Sequence, residues 1–225
     1  MRTEYYGLKE LAAARELQQA CKALHLPPPP VVSWKAELFD EFGHQTELHI
    51  GKSNSYVRSG LNMIFTHSCY PHYSVRAITF VDGTIGVKKT DGSNSSANYW
   101  QGYYQNSLIK PGYGDTAESI DLYNLANVFG SGNSVNQLNW SAASIATSFD
   151  AGTRKFLNDC MRSFQNGYGS AQDIKEMGLF VDTNAVYSTS YAVTDVMVIR
   201  DLLPSPLSVA AGGGIVLHYN FELPY

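Results

Sequence analysis

The last residues of the chain alternate between apolar and polar side chains, and this pattern restricts the fold more than any other. A period of two is typical of a β-strand with one buried face. Gly212–Gly214 precede the alternation and fit a turn between strands, because an anion-binding glycine loop should open a helix. The strand is expected to bury Ile215, Leu217, Tyr219, Phe221 and Leu223, and to leave His218, Asn220 and Glu222 on the outside.

Strand and turn signals recur along the rest of the chain. Two hairpins are indicated in the first half, and their turns are Asp40–Gly43 and Asp82–Gly83. Short strands with this spacing predict a mainly β fold, an antiparallel β-sandwich or jelly-roll-like body. The other strand signals lie at residues 154–164, 173–181 and 193–201, with turns expected at residues 166–169 and 204–206.

Helices are predicted at the N-terminus and once inside the chain. Residues 4–25 are rich in helix-forming residues, and the proline run at 27–30 ends that helix. We therefore divide the chain into an N-terminal helical arm with a spacer (1–30) and a β-sandwich domain (31–225). Residues 53–67 predict the internal helix.

The N-terminal helix has two plausible roles. Leu17 belongs to an apolar stripe, whereas Leu8 and Leu11 lie away from it, and a helix that is apolar on several sides packs on more than one neighbour. The helix either clasps another subunit or packs on its own domain. The other members of the stripe are Ala13, Ala20, Cys21 and Leu24.

A polar region at residues 91–140 is predicted to form long loops with some short strands. Within it, rigid rings stand beside Asn and Gln, a composition typical of sugar-binding and protein-binding surfaces. The alternative is that some of these rings cover the core. The rings are Tyr99, Trp100, Tyr103 and Tyr104, and with Leu8, Leu11 and Leu17 they form the predicted interaction surface.

Composition excludes several classes of partner. The net charge is −4, so we expect no direct nucleic-acid binding. No stretch approaches the ~20 apolar residues of a membrane span, and the N-terminus lacks the apolar region of a signal peptide. Three widely separated cysteines, Cys21, Cys69 and Cys160, indicate synthesis in a reducing cytoplasm.

Chemical motifs are weak. His67, Cys69 and His72 could bind a metal ion, but structural zinc takes four ligands. His44 or His49 could complete such a site only through the fold. We expect no metal site and no cofactor, and these motifs supply no recognisable catalytic residue.

Four segments of the chain resemble structural proteins of tailed-bacteriophage virions. The internal-helix segment has Asn54, Arg58 and Asn62 at the matching places, while three consecutive glycines and the N-terminal helix depart from the pattern. The matching segments are RSFQN (162–166), DIKEMGLF (173–180), residues 197–223 and GKSNSYVRSGLNMIF (51–65).

The resemblance implies a virion component of the tail, neck, collar or capsid surface, made in the bacterial host cytoplasm. Such components are not enzymes, so the resemblance implies no catalytic residue and a protein that is not an enzyme. Its expected partners are copies of itself and other virion proteins, and the matching residues would be framework positions. The alternative is a carbohydrate- or receptor-binding module of a tail fibre or appendage, for which the aromatic loop would contact a host glycan.

Overall fold

The structure is a computed structural model that describes residues 2–4, 8–26, 30–53, 56–61, 77–79, 81–83, 85–87, 109–187 and 190–224. Residues 58–61 are also helical, which places a helical turn inside the predicted internal helix. The elements are β1 (Arg2–Glu4), α1 (Leu8–Ala23), β2 (Val31–Phe39), β3 (Gln45–Lys52), β4 (Ala77–Thr79), β5 (Ile85–Val87), β6 (Ile109–Gly112), β7 (Asn139–Trp140), β8 (Ser144–Asp150), β9 (Lys155–Gln165), β10 (Gln172–Tyr187), β11 (Ser190–Val209) and β12 (Gly214–Pro224).

The chain is mainly β, with two antiparallel sheets and an N-terminal helix, so the predicted fold class is confirmed. In the described residues, one sheet has the order β1-β3-β2-β12-β9-β7, with β8 also paired to β9. The other has the order β11-β10-β5-β4, with β6 paired to β10. The short β1 pairs parallel to β3 and was not predicted, because three residues carry no periodicity.

The chain forms two compact units. The first unit holds residues 1–54, 129–174 and 204–225, and the second holds residues 55–128 and 175–203. Strands β10 and β11 contribute residues to both units. The helix α1 belongs to the first unit.

Strand β12 lies in the middle of the first unit's sheet. It pairs antiparallel with β2 over Gly214–Glu222 and with β9 over Gly214–Pro224. Ile215, Leu217 and Tyr219 are completely buried, as the alternation predicted. Trp34 lies opposite Tyr219 in β2 and directly against Gly51, where any Cβ atom would overlap its indole ring.

The face assignment of β12 needs a correction. His218 and Glu222 were expected outside, but they are only 5% and 8% exposed. Leu223 was expected inside and is exposed. A central strand is flanked by neighbouring side chains on both faces, and here the polar face also carries ion pairs that compensate for its burial.

Helix α1 packs on its own unit. It contacts β2 and β3, and Arg15 donates a hydrogen bond to Glu222 of β12. Among the described side chains of this helix, Leu11 and Gln18 are buried, and they lie roughly a third of a turn away from the predicted stripe. Of the two roles considered for this helix, the structure therefore shows packing on the chain's own body.

The second unit has a small apolar core and a buried ion pair. Val57, Leu125, Phe180 and Met197 form the apolar cluster. Arg200 and Glu176 are both almost completely buried, with 2.7 Å between Nη2 and a carboxylate oxygen.

The same ion pair orders a loop of the second unit. Arg200 Nη2 donates to the carbonyl oxygen of Thr116, and the backbone N–H of Asn127 donates to Glu176. Gly112 and Gly114 lie so close to the Glu176 side chain that a Cβ atom on either would overlap it. The loop between β6 and β7 is therefore tied to β10 by hydrogen bonds to charged groups, which are stronger than neutral ones.

Most predicted turns are confirmed, and one is wrong. Asp40–Gly43 turns between β2 and β3, and Gly83 turns between β4 and β5; both glycines have positive φ. Residues 204–206 were expected to form a turn, but β11 runs through them. Because β11 is an edge strand of its sheet in the described residues, its prolines need not donate to a neighbour.

Asn166 joins the β9–β10 loop to the β11–β12 turn. Its side chain is buried and donates to the carbonyl oxygens of Ser170, Val209 and Ala210. Its side-chain oxygen accepts from the Tyr168 N–H and from the Gln172 amide. One buried amide thus holds two connections that are distant in sequence.

We expect Asn166→Ala to lower the free energy of unfolding by about 3 kcal/mol, because several buried backbone groups would lose their partner. Urea unfolding followed by circular dichroism measures this change. Gln165→Ala, at the exposed neighbouring position, is the matched control and should stay within about 0.5 kcal/mol of the parent chain. Equal effects of the two substitutions would contradict the role assigned to Asn166.

Candidate interaction surface

Strand β8 is an exposed edge strand. All seven residues from Ser144 to Asp150 are exposed, and in the described part of the chain β8 pairs only with β9. The register runs from Ser144 opposite Met161 to Asp150 opposite Lys155. An edge strand presents backbone N–H and C=O groups that can pair with a further strand.

One face of the β8–β9 hairpin carries an apolar patch, which we call the hairpin patch. Alternation places Ile145 and Phe149 of β8 on the same face, and Phe149 lies opposite Phe156 of β9. Phe156 in turn lies opposite Leu223 of β12. The exposed fractions are 52% for Ile145, 50% for Phe149, 38% for Phe156 and 39% for Leu223.

The turn of this hairpin is held by Asp150. Its carboxylate accepts hydrogen bonds from the backbone N–H groups of Gly152 and Thr153 and from the Thr153 hydroxyl. The hydrogen bond from the Thr153 hydroxyl lowers the pKa of Asp150 most, and the backbone hydrogen bonds lower it further. On the same face as the patch, the Thr147 hydroxyl donates to the side-chain oxygen of Asn158 at 2.7 Å. The edge is therefore presented by an ordered hairpin.

Helix α1 presents a second exposed apolar surface. Leu17 and Leu24 are 53% and 69% exposed, and Ala13 and Ala20 on the same face are also exposed. These residues follow the 4-3-4 spacing that is typical of the apolar seam by which one helix packs on another. We call this set the α1 seam: Ala13, Leu17, Ala20 and Leu24. Leu17 is thus exposed, and its place in an interaction surface stays a prediction. Leu11 was wrongly assigned to the interaction surface, because it is 3% exposed and packs inward.

The charged side chains of the first unit's sheet are joined to one another across strands. The His218 Nδ1 atom lies 2.9 Å from an Asp159 carboxylate oxygen, and Glu37 lies 3.9 Å from Nε2. Glu37 also pairs with Lys35 at 2.9 Å. These contacts connect β2, β12 and β9 on one face of the sheet. The contacts of His218 with Asp159 and Glu37 therefore link the three central strands of the sheet.

Cys160 is a core thiol. It lies in β9 opposite Tyr219 and Ile145, and burial together with the nearby Asp159 charge raises its pKa to about 12. A thiol with this pKa stays protonated near neutral pH, so it lacks the thiolate that a nucleophile or metal ligand requires. Cys160 therefore behaves as a small apolar residue.

Several predicted site residues cannot be compared with the structure. The weak metal candidates His67, Cys69 and His72 lie outside the described residues, and so do Tyr99, Trp100, Tyr103 and Tyr104. Leu8 lies in α1, but its side chain is not described. The glycan-binding alternative consequently stays a prediction. Within the described ranges, His, Cys, Asp and Glu side chains form no cluster that could hold a metal ion.

Sequence reasoning missed β8, although a signal was present. Ile145, Thr147 and Phe149 alternate with small residues, which is a strand period. The segment is short, weakly apolar and adjacent to the polar region 91–140, and the sequence analysis assigned no strand to it. Its position at the sheet edge comes from pairing with β9.

Comparison with known proteins adds no family to this description. No family model matches the chain, and no curated protein or solved structure matched it. In the part of the chain that the structure describes, no helix is long and apolar enough to cross a membrane.

Glu222 should make the stability of the first unit depend on pH. Its burial by itself would raise its pKa, but hydrogen bonds from Arg15 and Lys155 and their charges lower it below the ordinary value of 4.5. A lowered pKa in the folded state stabilises the fold above the unfolded-state pKa, and this contribution is lost as pH falls through the folded-state value.

We therefore expect the stability difference between the parent chain and Glu222→Gln to be largest above pH 4.5 and to shrink below it. Urea unfolding at a series of pH values measures this difference. Glu41→Gln, at an exposed position of the β2–β3 turn, serves as the control for a carboxylate without these partners. If the stability difference between the parent chain and Glu222→Gln does not change with pH, the ion-pair role of Glu222 is contradicted.

Proposed function

We propose that the chain is a non-enzymatic structural component of a tailed-bacteriophage virion, present in multiple copies in the tail, neck or collar or on the capsid surface. The observation that carries the proposal is the exposed β8 edge with its hairpin patch, presented by a sheet whose other strands are well paired. Large exposed apolar side chains grouped beside an open edge favour contact with another protein chain.

The residues that resemble virion proteins support this proposal because they build the scaffold. Arg162 and Phe164 of β9 and Asn166, the residue directly after this strand, alternate with exposed residues and are all buried. Arg162 lies over the rings of Trp140 and Phe164 and donates to the Ser141 carbonyl oxygen. Glu176 and Arg200, from two other matching segments, form the buried ion pair. Side chains in these positions maintain the fold, which agrees with the framework role that the resemblance implies.

The electrostatics of the scaffold also favour a structural role. Buried carboxylates are paired with cations from distant segments of the chain. Glu222 contacts Arg15 of α1 and Lys155 of β9, and Glu176 pairs with Arg200, which is buried as completely as Glu176 itself. A buried pair of this kind is strongly destabilising to break, since removal of one partner leaves an uncompensated charge. Such pairs favour one arrangement of the strands, a property that a repeated building block needs.

The proposal assigns copies of the same chain and other virion proteins as partners, without direct nucleic-acid binding. The protein would be made in the host cytoplasm and reside in the particle. The direct test is peptide mass spectrometry of virions purified through two density gradients, with a particle protein of known copy number as internal standard. We expect several copies per particle. Peptides of this chain found only in the infected-cell lysate, and not in the purified particles, would overturn the proposal.

We expect the exposed seam of α1 to contribute to incorporation into particles. Leu17→Lys combined with Leu24→Lys should leave the melting temperature nearly unchanged, because both side chains are exposed, but should lower the copy number in particles. Gln19→Lys adds a positive charge at an exposed position on another side of the same helix and is the matched control. Quantitative mass spectrometry of complemented particles measures the change. An unaltered copy number for the double variant would exclude the seam as a contact.

A further inference from the structure

We propose that β8 is the edge through which two copies of this chain join their sheets. In this arrangement β8 pairs antiparallel with β8 of a second copy, about a two-fold axis at Thr147. The inference rests on the proposed function, since it names the partner for the exposed edge of a protein that assembles in copies. It also makes a statement about register that can be tested separately.

The exposed edge lacks the features that normally prevent strand addition. Natural edge strands carry lysine or proline, are very short, or are covered by another element. Residues 144–149 contain no charged residue and no proline, and every residue from Ser144 to Asp150 is exposed. The Asp150 turn holds the hairpin in a defined conformation, which lowers the entropy cost of adding a strand. The segment is therefore suited to pairing.

The sequence of β8 is nearly symmetric about Thr147. Ile145 and Phe149, the two large apolar residues, lie at equal distances from it on the hairpin patch. Ala146 and Ser148, both small, also lie at equal distances on the opposite face. An isologous contact requires this kind of self-complementarity, because residue i of one copy contacts residue j of the second copy and residue j contacts residue i.

The centred register combines favourable pairs. Each Ile145 would lie opposite the second copy's Phe149, and the two Thr147 residues would lie opposite each other; apolar and Thr–Thr cross-strand pairs both stabilise sheets. The patch would become continuous across the two-fold axis, with Phe156 and Leu223 extending it on either side.

Charge favours the same register. Asp150 is the single charged residue of β8, and pairing about Thr147 places it opposite the neutral Ser144 of the second copy. A register centred nearer the turn would bring the two Asp150 carboxylates together, and like charges directly opposite are destabilising. A two-fold contact also closes both edges at once, whereas a head-to-tail contact leaves one edge open at each end.

Cysteine cross-linking tests whether β8 pairs with β8 of a second copy and in which register the two strands pair. Directly opposite residues in an antiparallel pair have Cα atoms about 4.5–5.5 Å apart, within the range of a disulfide. We expect Thr147→Cys to form a covalent dimer under mild oxidation. Ser144→Cys should cross-link only when it is mixed with Asp150→Cys. The parent chain under the same conditions gives the background from its native cysteines.

Charge substitutions provide a second measurement by sedimentation velocity. Ile145→Lys would bury a lysine against an aromatic ring at two symmetric places, so we expect dimerisation to weaken about 100-fold. Ser144→Lys is the matched control, because its lysine would lie opposite Asp150 and should keep dimerisation within about fivefold of the parent or strengthen it. Circular dichroism and melting temperature establish that both variants are folded.

The outcomes separate this inference from the proposed function. A Thr147→Cys chain that stays monomeric under oxidation, or an Ile145→Lys chain that dimerises like the parent, overturns the β8 contact. If the protein is nevertheless present in purified virions, the proposed structural role stands and the contact lies elsewhere. If β8 dimers form but the protein is missing from virions, the contact is supported and the virion assignment fails.

Discussion

The pairing of β12 with β2 on one side and β9 on the other is the constraint on which the first unit depends. These three strands come from the two ends and the middle of the chain, and they meet over nearly the whole length of β12. The pairing brings Glu222 to Arg15 of α1 and to Lys155 of β9. It also places Phe156 beside Leu223, near the turn of the exposed hairpin. Helix docking and presentation of the edge strand therefore both follow from one register.

Buried polar groups supply the specificity that apolar burial cannot. Apolar contacts are non-directional, so they tolerate small shifts of one strand against another. The amide of Asn166 is different, because it reaches carbonyl groups of the β11–β12 turn only in one arrangement. The Glu176–Arg200 pair fixes β10 and its neighbouring loop in the same manner. These groups lie in the segments 162–166, 173–180 and 197–223, for which the sequence analysis expected framework positions.

The surfaces that remain exposed differ from the scaffold in chemistry. The β8 edge and the α1 seam offer Ile, Phe, Leu and Ala with few charges, whereas the polar face of the sheet carries paired ions. On these two surfaces, apolar groups rather than charges are available for external contacts. Both exposed surfaces lie in the first unit, and both are attached to elements that β12 holds in place.

Local patterns alone predicted the mainly β class, the first-half hairpins, β9, β12 and parts of β10 and β11, because strand and helix periods and turn residues are properties of neighbouring residues. They also predicted most of α1, although that helix begins at Leu8 and Glu4, where it was expected to start, belongs to β1. Tertiary structure decided which faces are covered. Leu11 rather than Leu17 packs inward, His218 and Glu222 are buried beside ionic partners, and Pro204 lies within an edge strand. The exposure of β8 belongs to the same group. The exposure of each of these residues depends on which distant segment packs against it. The spacing of apolar and polar residues along the chain carries no information about that neighbour.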